Sequence, residues 1–161
     1  MSQPAAHLPF IDVHPRTVDA PPERVWDALA QVMRGWTERP LPGVLAGIGP
    51  LFARALACSD TERPVPGAGM PDTTVGFHVA DRERPVLVSF QGHHRFSRYA
   101  LTFRIRPDEP SGSVIEAETR AEFPGRGGRL YRQAVIGSRG HVFVVRRMLA
   151  AVKRLAEENR G

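Results

Sequence analysis

One stretch of the sequence decides the fold: YALTFRIRPDEPSGSVIEAETRAEF, residues 99–123. Apolar and polar residues alternate on both sides of the turn-forming segment 107–112. A period of two is typical of β-strands that bury one face. The two runs are too close in sequence to be joined by a crossover helix, so we expect them to pair as antiparallel neighbours.

The same alternation continues upstream of this stretch. Runs at 75–80 and 86–91 also have a period of two, and turn-forming residues separate them. Residues 8–19 add a first strand. Because Pro15 lacks a backbone N–H, this strand is expected at an edge of the sheet or with a bulge. The sequence therefore predicts about five sequential antiparallel strands.

Two helices frame the strands. The segment APPERVWDALAQVMRGW predicts a helix over about 21–34, which opens with prolines and has apolar residues at helical spacing. After Phe123 the helical period returns and predicts a C-terminal helix of about thirty residues, ending near residue 158. Its small residues lie in its first half. We therefore expect this helix to pack firmly near its end and to leave room near its start.

The composition indicates one domain, residues 1–161. The chain has no apolar run that could span a bilayer and no signal-peptide pattern, so we expect a cytoplasmic protein. Its one cysteine, Cys58, rules out an intramolecular disulfide and a cysteine-based metal cluster. The net charge of +5 permits an anionic partner but does not require one. Segment 35–72 is predicted to be mostly loop, and a lid or binding segment is one interpretation.

Four segments carry a family resemblance: VDAPPERVWDAL, HHRFSRYALTFRI, IEAETRAEFPGRGGRLYR and VIGSRGHVFVVRRML. In this order they resemble a bacterial branch of the START and polyketide-cyclase-like superfamily (SRPBCC). The resemblance implies an α+β helix-grip fold, in which a curved antiparallel sheet surrounds a long C-terminal helix and leaves an internal cavity. In relatives this cavity holds lipids, polyketides, steroids or plant hormones. The family pattern has more strands than the five evident here, so further pairing is expected in residues 50–72 or in a long strand that bends.

The leading hypothesis is that this cavity binds a small hydrophobic or amphipathic molecule, lipid-like or polyketide-like. Inward positions of the sheet and of the C-terminal helix supply the expected walls: Phe77, Phe90, Tyr99, Leu101, Phe103, Thr119, Ala134, Gly137 and His141. In one alternative, the cavity is the active site of a cyclase, dehydratase or hydrolase, with His141 as general base and Tyr99 as acid. In another, the domain binds a protein and the cavity is incidental. His141 could also be a core histidine with a structural partner.

Metal and cofactor sites are not predicted. In a strand, the adjacent His93 and His94 point to opposite faces and cannot bind one metal ion together. Near a turn they could do so with His78 from another strand, but no Cys, Asp or Glu completes a convincing set. The glycine-rich segment 125–128 matches no phosphate-binding motif and is interpreted as a turn that leads into the helix. The oligomeric state is left open, with a homodimer as one alternative.

Charged residues are interpreted as solvated surface. Glu116, Glu118 and Glu122 lie on the polar face of one strand and are expected to face arginines such as Arg104 and Arg106. A basic stripe on the C-terminal helix has nucleic acid or an acidic membrane as alternative partners. It lacks the interleaved aromatic side chains that stack on bases, so we interpret it as a solvated helix face and predict no nucleic-acid partner. The stripe comprises Arg132, Arg139, Arg146 and Lys153.

Overall fold

The computed structural model describes residues 7–38, 69–74, 77–94, 96–137 and 139–158, with the backbone alone at 36–38, 74, 94, 131, 134 and 135. The elements in chain order are β1 (Phe10–Val18), α1 (Pro22–Glu38), β2 (Thr73–Thr74), β3 (Phe77–Glu83), β4 (Leu87–His94), β5 (Ser97–Asp108), β6 (Gly112–Glu122), α2 (Gly125–Arg132), a π-helical turn (Gln133–Gly137) and α3 (Gly140–Glu158). Cys58 and most of the predicted loop 35–72 lie outside the described residues.

The strands form one antiparallel sheet in the order β1-β6-β5-β4-β3-β2. As predicted from residues 99–123, β5 and β6 are neighbours, and they pair from Arg98 opposite Glu122 to Asp108 opposite Gly112. The sheet is curved and lies against the C-terminal helix, which confirms the α+β helix-grip fold.

The two edge strands of the sheet differ in length and in how well the sequence predicted them. β1 pairs with β6 and lies at one edge, as Pro15 predicted, with a register shift between Phe10 and Asp12. At the other edge, the two residues of β2 pair with β3 and form the sixth described strand. This strand begins just beyond the interval 50–72, of which residues 50–68 lie outside the described part of the chain.

The outer face of the sheet carries the predicted ion pairs. Arg104 Nη1 lies 2.9 Å from Glu118 Oε2, and Arg106 Nη2 lies 3.1 Å from Glu116 Oε1. Burial acts to raise the pKa of Glu118, but the hydrogen bonds and charges of Arg120 and Arg104 outweigh it, so this pKa lies below its ordinary value. Partly exposed pairs of this kind each stabilise a fold by less than about 1 kcal/mol. This face of the sheet is therefore charged and exposed to solvent, and the core lies on the opposite face.

The inner face of the sheet packs against α1 and α3 and forms the core. As the helical spacing predicted, α1 buries Val25, Leu29 and Met33, each at most 3% exposed. Trp26 is buried as well and packs between this helix and the body. The buried residues of α3 extend from its second turn to near its end: Val145, Met148, Leu149, Val152 and Ala156.

The prediction of one continuous thirty-residue helix is wrong. The C-terminal segment is α2, then the π-helical turn, then α3, and Arg139 between the last two has a φ of 57°. Two glycines flank the break, Gly137 and Gly140, and glycine costs about 1 kcal/mol relative to alanine in a helix interior. Of the helices in the described residues, none is long and apolar enough to cross a membrane.

The far end of α3 is fixed to β1. Lys153 Nζ donates to Thr17 O at 3.0 Å, and the Asp19 amide donates to Glu157 Oε1 at 2.9 Å. Lys153 also pairs with Glu157 at 2.7 Å. Lys153 therefore does not belong to an open basic stripe, which corrects that part of the interpretation.

Candidate functional site

A row of side chains on the inner face runs from polar at one end to apolar at the other. Asp12 of β1 lies opposite Thr119 of β6. Thr119 in turn lies opposite Leu101 of β5, which lies opposite Phe90 of β4. Directly opposite residues share a face of the sheet, with Cβ atoms about 5 Å apart. The row therefore has polar groups at the β1 edge and hydrocarbon towards β4.

Asp12 lies between two histidines. His141 Nε2 and Asp12 Oδ2 are 2.5 Å apart and form a hydrogen bond. His14 Nε2 lies 3.3 Å from the same oxygen, within ion-pair distance, but it is not oriented for a hydrogen bond. The side chains of Asp12, His14 and His141 are 21%, 15% and 13% exposed. All three side chains are therefore largely enclosed.

We call Asp12, His14, Thr119 and His141 the polar cluster. Among the described residues, four buried side-chain N or O atoms have no hydrogen-bond partner, and the cluster contains all four: Asp12 Oδ1, His14 Nε2, Thr119 Oγ1 and His141 Nδ1. More than nine in ten buried polar groups in proteins are paired, and each unpaired one costs about 1–3 kcal/mol. Four at one place therefore point to a site whose partners come from elsewhere.

The hydrogen bond to Asp12 determines what His141 can offer. A carboxylate oxygen only accepts hydrogen bonds, so His141 Nε2 carries a hydrogen and its N–H donates a hydrogen bond to Asp12 Oδ2. In the neutral ring, Nδ1 then has a lone pair and accepts. Asp12 Oδ1 accepts too. The cluster thus presents two acceptor atoms without a partner, one on each side chain, and each of them suits a hydrogen-bond donor.

Three predicted wall residues continue the apolar surface away from the polar cluster. Tyr99 and Phe77 are half-buried and pack edge-to-face, with ring centroids 4.8 Å apart. Leu101, at 9% exposure, lies next to Thr119 across the strands. These side chains form an apolar surface beside the polar groups.

Other predicted wall residues are placed differently. Phe90 and Phe103 are 0% exposed and pack edge-to-face with centroids 6.3 Å apart, so they belong to the closed core. Gly137 is exposed, and its nearest neighbour beyond the local backbone is the side chain of Gln133. The predicted inner stripe therefore holds only after the helix break, from His141 onwards. The side chain of Ala134 lies outside the described part.

Two members of the cluster, Asp12 and His14, were missed by the sequence reasoning. In residues 8–19 the polar residues alternate with the apolar Ile11 and Val13, and the usual expectation is that the apolar set faces inwards. The register reverses this: Asp12 and His14 face inwards, while Val13 is 44% exposed. The polar alternation was visible, but the sequence alone did not show which set was buried.

The glycine-rich segment at the start of α2 has a structural explanation. Gly125 has a φ of +72°, a conformation that L side chains rarely adopt. A Cβ on Gly128 would lie 2.5 Å from the carbonyl carbon of Phe123. Both glycines are thus needed for the sharp turn between β6 and α2. Within the described ranges, no group of three or more His, Cys, Asp or Glu residues could hold a metal ion.

The comparison with protein families matches residues 13–157 to the family described as polyketide cyclase / dehydrase and lipid transport. The match spans most of the chain and contains all the elements from α1 to the last turn of α3. The chain belongs to this family. No curated protein matches it.

Solved structures with the same fold are distant in sequence. A point mutant of norcoclaurine synthase from Thalictrum flavum, in complex with a transition state analogue, is 14% identical with a TM-score of 0.53, over 93% of this chain and 95% of that one. The truncated form of that enzyme is 14% identical with a TM-score of 0.52, over 96% and 99%. Protein MLL2253 from Mesorhizobium loti is 16% identical with a TM-score of 0.49, over 93% and 98%. At this identity the likeness to norcoclaurine synthase shows the fold alone.

Proposed function

We propose that the protein binds a small amphipathic molecule whose polar end carries hydrogen-bond donors, such as a hydroxyl or an amine. The donor end lies against Asp12 and His141, and the apolar part lies along Leu101, Tyr99 and Phe77. The observation that carries the proposal is the set of four unpartnered buried polar atoms beside an apolar surface. A donor-bearing ligand would supply the missing partners.

The direction of the hydrogen bonds favours donors over anions. A ligand carboxylate would face the negative charge of Asp12 and the lone pair of His141 Nδ1 at close range. Like charges at such distances in a partly enclosed site repel strongly. A neutral hydroxyl instead gives a hydrogen bond to a charged acceptor, which contributes about 1.5–3 kcal/mol.

The family and the fold support a small-molecule ligand in general terms. The family description includes both cyclase/dehydrase activity and lipid transport. A structure of norcoclaurine synthase, 14% identical to this chain, is in complex with dopamine and hydroxybenzaldehyde. Small organic molecules are therefore occupants that this fold accepts.

Three probes with the same ring system test the proposal. We expect 2-naphthol to bind, because its ring suits the apolar surface and its hydroxyl can donate to the cluster. Its methyl ether, 2-methoxynaphthalene, should bind at least about tenfold more weakly, because it can no longer donate. Binding of 2-naphthoate should not be detected. Isothermal titration calorimetry at neutral pH measures all three.

The probe ranking separates the proposal from unspecific apolar binding. Equal affinities for the three probes would mean that the polar cluster does not take part. The strongest affinity for 2-naphthoate would mean that the cluster binds anions. Either result contradicts the proposal.

A second candidate function is proton transfer on a bound substrate. The observation that favours it is the hydrogen bond that orients His141 and leaves Nδ1 without a partner, which is the arrangement of a general base. If the protein transfers protons in this way, it should speed deuterium exchange at the acidic carbon of 2-tetralone in D2O. NMR measures the exchange rate. His141→Gln should lose this acceleration. Equal exchange rates with and without the wild-type protein would contradict proton transfer and would leave ligand binding as the remaining function.

A further inference from the structure

The positive charge of the chain is concentrated in one segment. The chain has 22 basic and 17 acidic residues, and the segment from Gly125 to Leu155 contains eight of the basic residues and none of the acidic ones. The rest of the chain therefore has 14 basic and 17 acidic residues. The segment corresponds to α2, the π-helical turn and most of α3.

Six arginines of this segment are exposed, and none forms an ion pair with another described residue. They are Arg126, Arg129, Arg132, Arg139, Arg146 and Arg147. Arginines on the sheet behave differently, since Arg98, Arg104 and Arg106 each pair with a glutamate across the strands. The charges of α2 and α3 are therefore available to an external partner.

Two large apolar side chains lie among these arginines. Leu130 of α2 is 75% exposed, and Phe143 of α3 is 67% exposed. On a helix, residues three or four apart share a face. Arg126 thus shares a face with Leu130, and Arg146 and Arg147 share a face with Phe143. Each helix thus presents an exposed apolar side chain with at least one arginine on the same face.

We propose that this basic-apolar face, which carries Leu130 with Arg126 on α2 and Phe143 with Arg146 and Arg147 on α3, docks onto the surface of an anionic lipid bilayer. Arginines near an anionic membrane each contribute about 1 kcal/mol through the surface potential, and apolar side chains on the same face enter the interface. Nucleic acid would also bind the positively charged arginines, but it offers no apolar interior into which an exposed leucine could insert. The exposed Leu130 and Phe143 therefore favour the bilayer.

The docking face and the polar cluster are close along the chain. His141 and Phe143 lie in the first turn of α3: His141 contacts Asp12 on the inner side, and Phe143 is exposed. A molecule that leaves the membrane would therefore meet the segment that carries His141. Docking itself does not depend on the ligand proposal, and it can be tested without any ligand.

Vesicle binding tests the docking proposal. The full-length protein is mixed with vesicles of phosphatidylcholine alone or of phosphatidylcholine with phosphatidylserine, and the bound fraction is measured by flotation. We expect binding to the phosphatidylserine vesicles and a marked loss at high salt. Replacing Leu130 and Phe143 together by serine should weaken binding at least about tenfold, because their apolar surface no longer enters the interface.

Matched controls come from elsewhere on the surface. Val86→Ser removes an apolar side chain that is 46% exposed in the turn between β3 and β4, and it should not change binding. Arg98→Gln removes an exposed arginine of the sheet and should also have no effect. Equal binding to both kinds of vesicle would overturn the proposal. Tighter binding to a DNA duplex, unchanged by the Leu130 and Phe143 substitutions, would overturn it too.

Discussion

Phe103→Ala is expected to lower the free energy of unfolding by about 3–5 kcal/mol. Phe103 is 0% exposed and packs edge-to-face against Phe90, also 0% exposed. Truncation removes the transfer free energy of the ring and leaves a cavity in a closed part of the core. Urea unfolding followed by Trp fluorescence or circular dichroism measures the loss.

Phe77→Ala is the matched control for the first prediction. Phe77 is only half-buried and packs against the edge of Tyr99, so its loss should cost less stability. It lies on the apolar surface proposed to contact the ligand, so its loss should weaken 2-naphthol binding more. If Phe103→Ala left the stability nearly unchanged while it abolished 2-naphthol binding, Phe103 would be a pocket wall and not core.

Gly128→Ala is expected to lower the free energy of unfolding by about 3 kcal/mol, at the upper end of the range for overpacking. The added Cβ would lie 2.5 Å from the carbonyl carbon and 2.7 Å from the carbonyl oxygen of Phe123. These are backbone atoms, so no side-chain rotation can relieve the contact. The turn from β6 into α2 would have to move.

Gly35→Ala is the control for Gly128→Ala, because it makes the same substitution at a position where we expect the opposite change in stability. Gly35 lies within α1, and apart from its chain neighbours and the backbone of its own helix, no atom of the described residues would lie within 4 Å of a Cβ there. Because alanine is a better helix former, we expect a gain of about 0.5–1 kcal/mol. Thermal unfolding of both variants provides the comparison. A Gly128→Ala variant as stable as the wild type would show that the turn does not require glycine at this position.

The sheet could be predicted from the sequence because its signal is local. The alternation in residues 99–123 fixed which side chains share a face, and the short turn fixed antiparallel pairing. The C-terminal segment was correctly predicted to be helical, but its division into separate helices was not predicted. Its break lies between Gly137 and Gly140, where the period of the apolar residues continues but two glycines lower the helix propensity.

The candidate site could be predicted only in part, because it depends on pairing between distant segments. His141 was selected from its position on the helix, but its partner Asp12 is 129 residues away in sequence. No local pattern indicates that β1 returns to pair with β6 and places Asp12 beside Thr119. Such a contact becomes visible only when the register is known.

Thr119→Val tests the central claim, that the polar cluster is kept unpaired for a ligand. The substitution replaces a buried hydroxyl that has no partner by a methyl group of similar size. We predict that the free energy of unfolding without ligand rises by about 1 kcal/mol, because the cost of the unpaired hydroxyl is removed. The affinity for 2-naphthol should fall in the same variant. A loss of stability with unchanged 2-naphthol affinity would show that Thr119 is paired within the fold, and would contradict the claim.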